Sequence, residues 1–120
     1  MDKKILIVDD SPTTRELITE ALKKKGFRIL TASNGEEALD KARNESPDLI
    51  LLDVVMPGQN GFQVCRQLKS SSVTKDIKVI LVTSKNQKSD RFWGLKQGAD
   101  DYLVKPFEKS DLIKCIDQYI

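Results

Sequence analysis

Short aliphatic runs recur along this chain, each stopping at a polar or reactive residue, and the segments between them carry apolar residues at helical spacing. The first run occupies residues 4–8 and ends at Asp9-Asp10, and the second occupies residues 27–32. A third, Leu-Ile-Leu-Leu within residues 48–53, ends at Asp53. Residues 77–82 precede Thr83-Ser84, and residues 102–104 precede Lys105-Pro106. Runs this short and this continuously apolar read as strands covered on both faces.

The intervening segments carry helix signals. Ser11 and Thr13 are N-cap residues, Pro12 suits a first turn, and Thr13 with Glu16 has capping-box spacing. Leu17, Ile18, Ala21 and Leu22 then predict a buried stripe that Gly26 terminates. After an Asn34-Gly35 turn, residues 36–44 place Ala38, Leu39 and Ala42 on one side. Beyond the Met56-Pro57-Gly58 turn, Phe62, Val64, Cys65 and Leu68 mark a third helix. Residues 89–97 and 109–119 supply two more. Five strands alternating with five helices, without a tight hairpin, predict an α/β fold: a parallel sheet between helical layers, built from right-handed crossovers.

Composition narrows the chemistry. The chain contains no histidine, which removes histidine triads, histidine bases and histidine-ligated metals. Twenty basic and eighteen acidic residues leave a net charge of +2, too even for nucleic-acid binding through bulk charge. The Lys23-Lys24-Lys25 run sits where cations favour a helix end. Two cysteines, Cys65 and Cys115, lie far apart and are expected as reduced thiols. With no apolar run long enough to span a membrane and no secretory leader pattern, residues 1–120 are expected to form one cytoplasmic domain without membrane insertion.

In a parallel sheet the ligand site lies beyond the carboxyl ends of the strands, so Asp9, Asp10, Asp53, Thr83, Ser84 and Lys105 should gather on one edge. Taken singly each has an ordinary explanation: a strand-end aspartate caps a helix, and Lys-Pro is a common turn. Together they create an electrostatic problem, because two unit charges about 5 Å apart repel by roughly 3 kcal/mol at an effective dielectric near 20. Lys105 supplies one compensating charge, and a hard divalent cation would supply the rest. Magnesium suits a site with few protein oxygens and room for a phosphate.

The segments Ile-Val-Asp9-Asp10-Ser, Leu-Leu-Asp53-Val-Val-Met56-Pro57-Gly-Gln-Asn-Gly61, Val-Thr83-Ser84, Gly98-Ala99-Asp-Asp-Tyr102 and Lys105-Pro106-Phe107 resemble the receiver domains of two-component response regulators. The resemblance runs the length of the chain and implies a flavodoxin-like (βα)5 sheet in strand order 2-1-3-4-5. It implies that Asp53 is the phosphoacceptor. Asp10, Asp53 and the backbone carbonyl of Val55 would bind Mg2+, with Asp9 assisting through water. Lys105 would pair with the carboxylate or phosphoryl oxygens, Thr83 would be the switch hydroxyl and Tyr102 the switch aromatic, and the Lys105-Pro106 bond would be cis.

The implied donor is a phosphohistidine on a partner histidine kinase or phosphotransfer protein. The implied output is a non-covalent partner on the face of the fourth helix, fifth strand and fifth helix. The stretches Met-Pro-Gly-Gln-Asn-Gly-Phe-Gln and Val-Thr-Ser-Lys-Asn-Gln, with Asp90-Arg91-Phe92-Trp93-Gly94, are similar to stand-alone receivers of type IV pilus twitching-motility and phototaxis systems. Trp93 then has two readings: an interface anchor on an exposed helix, or a core residue. Ser84, Lys85 and Val55 depart from the commonest family pattern.

Three rival functions fit these residues less well. An aspartyl phosphatase of the haloacid dehalogenase type needs a second acid where Val55 stands, as well as a substrate cap. A flavin carrier would set its phosphate against Asp9 and Asp10, without a glycine- or threonine-rich cradle. A phosphorylation-independent interaction module has no use for intact acids and Lys105.

Overall fold

The computed structural model describes residues 2–120. Five strands, β1 (Lys4–Val8), β2 (Arg28–Ala32), β3 (Leu49–Leu52), β4 (Lys78–Thr83) and β5 (Asp101–Val104), alternate with five helices, α1 (Pro12–Lys23), α2 (Gly35–Glu45), α3 (Gly61–Ser70), α4 (Lys88–Lys96) and α5 (Lys109–Asp117). All pairings are parallel and the order is β2-β1-β3-β4-β5, as expected.

The aliphatic runs form the sheet's centre because alternate residues serve opposite helical layers. Leu6, Val8, Ile50, Leu52, Val79 and Leu81 pack with Ala38, Leu39 and Ala42 of α2 and Val64, Cys65 and Leu68 of α3. Ile5, Ile7, Leu49, Leu51, Ile80 and Val82 pack instead with Ile18 and Leu22 of α1 and Leu112, Cys115 and Ile116 of α5. Burying one such side chain contributes about 1.5–3 kcal/mol, so β1, β3 and β4 form a stiff base for whatever follows their carboxyl ends.

Most helix boundaries lie within two residues of those predicted, and the differences have local causes. Ser11 is the sole N-cap of α1, its side chain accepting from the Thr14 N–H at 3.3 Å, so Thr13 falls inside the helix and no Thr13–Glu16 box forms. Leu17 is 63% exposed: the inward positions are Ile18 and Leu22, one turn apart, and Leu17 sits about 100° away around the helix axis. Asn34 caps α2 and Gly35 is its first residue rather than part of a separate turn. Asn60 and Gln63 form a reciprocal capping box at the start of α3, with bonds of 3.0 and 2.9 Å.

Two glycines fix distances that matter for the site. A β-carbon at Gly61 would stand 2.2 Å from the Asp53 carbonyl oxygen, so only glycine lets α3 begin against the loop after β3. One at Gly94 would meet Leu81 at 2.7 Å and Tyr102 at 3.1 Å. The α4 backbone therefore rests directly on the Tyr102 ring.

Candidate functional site

The carboxyl edge of the sheet brings the expected acids together. Asp9 follows β1 and is 3% exposed; its Oδ1 accepts the Ser11 N–H at 2.9 Å and its Oδ2 accepts Lys105 Nζ at 2.8 Å. Asp53 follows β3 and is 7% exposed; its Oδ1 accepts the Val55 N–H at 3.3 Å and its Oδ2 lies 3.6 Å from Lys105 Nζ. Asp10 is exposed at the rim. Asp9, Asp10 and Asp53 each present a carboxylate oxygen within 4.8 Å of the others.

Sheet bonds aim these groups. The Asp53 N–H donates to Val8 at 3.0 Å and the Lys105 N–H donates to Thr83 at 2.8 Å, extending the ladders one residue past the strands. The Lys105-Pro106 bond is cis, as expected. Burial raises the Asp53 pKa above its ordinary 3.8; Lys105 opposes the shift, Asp9 adds to it, and the Val55 N–H opposes it. One ammonium group thus serves two buried carboxylates, and a third carboxylate stands beside them. Three hard oxygen donors with an open rim fit a magnesium-sized ion. Val55 itself turns its side chain to solvent, 55% exposed, and contributes a backbone N–H to Asp53.

Thr83 and Tyr102 meet through a third residue. Thr83 is fully buried and its Oγ1 accepts the Lys85 N–H at 3.3 Å. Tyr102 is 3% exposed and its hydroxyl donates to the Lys85 carbonyl at 2.8 Å. Burial, followed by the nearby Asp90 charge, pushes the phenol up to about 12. Lys85 was not expected in this role, and neither were Arg15, which donates to the Asp9 carbonyl at 2.6 Å, and Arg91, which donates to the Tyr102 carbonyl at 3.0 Å. All three act on or through backbone groups, which leave no mark in a side-chain pattern. Trp93 is 53% exposed on α4, beside Phe92 at 62% and Leu95 at 43%, which settles its two readings in favour of the surface.

The family model for the response regulator receiver domain matches residues 5–117, and the chain belongs to that family. Among relatives, it is 50% identical over 114 residues to Protein PilH of Pseudomonas aeruginosa, covering 95% of this chain and 94% of that protein. It is 43% identical over 112 residues to the alkaline phosphatase synthesis transcriptional regulatory protein PhoP of Bacillus subtilis, covering 93% of this chain but only 46% of that one. The chain thus spans about half of the transcriptional regulators it matches. Chemotaxis protein CheY4 of Vibrio cholerae superposes over all of both chains with a TM-score of 0.94 at 32% identity. Receiver domains bind Mg2+ at an acidic pocket, and they interact with histidine kinases or phosphotransfer proteins. Among the described residues no helix is long and apolar enough to cross a membrane.

Proposed function

We propose that this chain is a single-domain phosphorylation switch in which Asp53 accepts a phosphoryl group and the α4–β5–α5 face reports it to a protein partner. The observation that carries the reading is the under-neutralised cluster: Asp53 buried, 3.6 Å from an ammonium that also serves Asp9, with Asp10 at the rim. In this reading Asp9, Asp10, Asp53 and the Val55 carbonyl hold Mg2+, which when bound offsets charge on the phosphoryl oxygens.

A carboxylate oxygen of Asp53 attacks phosphorus in line. The phosphorus–nitrogen bond of a partner's phosphohistidine breaks, and the imidazole leaves with the electron pair. Lys105 stabilises charge on the transferring group and afterwards pairs with the acyl phosphate. The chain is a phosphoacceptor and not an enzyme acting on an external substrate. Lys85 supports a relay, since its N–H engages Thr83 and its carbonyl engages Tyr102. Rotation of the Thr83 hydroxyl towards a phosphoryl oxygen would release the first bond and disturb the peptide that holds the second.

The motif resemblance to stand-alone receivers of type IV pilus systems, with 50% identity to Protein PilH over 94% of that protein, supports a role in pilus motility or taxis, in the cytoplasm, with output through a non-covalent partner. Treatment with a small phosphodonor and Mg2+, followed by intact-mass measurement, tests the acceptor. Wild type should gain one phosphoryl group and Asp53→Asn none; equal gain in both reassigns the site. Tyr102→Ala should uncouple partner binding from phosphorylation, and a variant still fully responsive would refute the relay.

A further inference from the structure

The flank of α4 turned away from α5 carries a feature that phosphoryl transfer does not use. Arg91 lies on one side of the helix and bonds to β5 through the Tyr102 carbonyl and Asp101. Trp93 lies on the other side, where with Lys96 and Gln97 it faces Arg66 and Lys69 of α3 across a groove of about 440 Å³. This groove is separate from the α4–β5–α5 face, and exposed aromatics of α4 stand in it and beside it. The indole is 53% exposed, the neighbouring Phe92 is 62% exposed, and the Lys96 ammonium stands 5.6 Å from the centroid of the Phe92 ring. Exposed aromatics grouped on a nine-residue helix mark an interaction surface more readily than isolated ones do.

Its charges identify the occupant. Lys69 is already consumed, its ammonium donating to the carbonyls of Lys75 and Ile77 and pairing with Asp100 at 2.9 Å. Arg66 and Lys96 are exposed and, among the described residues, neither forms an ion pair. Two cations without a carboxylate partner therefore flank one indole. Tryptophan and arginine are the residue types that most often anchor protein interfaces.

We propose that the α3–α4 groove docks an acidic peptide segment of a partner protein, an apolar side chain covering Trp93 while carboxylates engage Arg66 and Lys96. A nucleic-acid strand fits less well. Successive bases call for a row of stacking rings along a basic track, whereas among the described residues Trp93 is the only aromatic lining this groove and the chain's net charge is +2. The inference is independent of Asp53 and goes beyond the switch reading.

The sole tryptophan of the chain makes the test direct. Short random peptides would be selected by display on the unphosphorylated protein, then titrated while Trp93 emission is followed. Enriched peptides should carry aspartate or glutamate beside an aliphatic or aromatic residue, and they should shift the emission to the blue. The Arg66→Glu/Lys96→Glu double variant, exposed at both positions and checked by circular dichroism, should bind them at least about tenfold more weakly, and high salt should weaken the wild-type complex. No enrichment, enrichment without acidic bias, an unmoved emission, or affinity indifferent to the charge reversal would each overturn the proposal. So would a single-stranded oligothymidylate that perturbs Trp93 more strongly than the selected peptides.

Discussion

The two ends of the sheet handle their acids in opposite ways. At the amino edge, Asp48 accepts the Lys4 N–H at 2.8 Å; Asp100 accepts the Val79 N–H at 2.8 Å and the Lys69 ammonium at 2.9 Å. Each charge there has its own donors, and the acids fasten strands and helices together. At the carboxyl edge, Asp9 and Asp53 share the single ammonium of Lys105, and Asp10 brings a third carboxylate oxygen within 4.8 Å of theirs. Identical side chains therefore stabilise the fold at one end and strain it at the other, and what separates them is the ratio of donors to carboxylates. An under-compensated site is one that a cation and a phosphoryl group can complete.

The largest effect should come from breaking the well-paired end. Asp100→Ala strands a part-buried ammonium and a strand N–H, and should lower stability by about 2–3 kcal/mol in thermal or urea unfolding, with no rescue by Mg2+. Lys105→Met at the other end should cost about 1–2 kcal/mol, and here Mg2+ should restore much of the loss because it supplies the missing charge. If both variants responded alike to Mg2+, the contrast between the two edges would collapse.

Asp53→Asn should move in the opposite direction, raising the melting temperature by roughly 3–5 °C in chelator at neutral pH. Its pH dependence has a definite sign. Because burial raises the folded pKa of Asp53, the folded state holds that proton more firmly than the unfolded chain does, and stability is lost as pH rises through the window above 3.8. The advantage of the asparagine variant should therefore vanish in acid below that window and grow with pH across it. The smallest effect belongs to Tyr102→Phe, which removes the bond to Lys85 and should cost about 0.5–1.5 kcal/mol, with little sensitivity to Mg2+.

The layout of the sheet was legible because strands covered on both faces must be aliphatic throughout, and runs such as Ile5–Val8 and Leu49–Leu52 have few other uses. The acids were legible because a parallel sheet sends every strand end to one edge. Leu17 was misplaced since a stripe two residues wide tolerates a shift of one position, and only the packing of the helix against the sheet, which buries Ile18 and Leu22, selects between them. The bridging part of Lys85 stayed hidden for a different reason: a peptide group has the same N–H and carbonyl whatever side chain it bears. Arg91 was hidden likewise, because its partner is the main chain of Tyr102.

Bare backbone at Gly94 has a mechanical meaning. Side chains between two packed elements can change rotamer and absorb a small displacement, but here nothing flexible separates the helix from the phenol ring beneath it. Were the ring to swing outward, it would have to lift or tilt the helix above it, and a displacement of a few ångströms at the sheet edge would reach the outer surface as travel of a whole rigid rod.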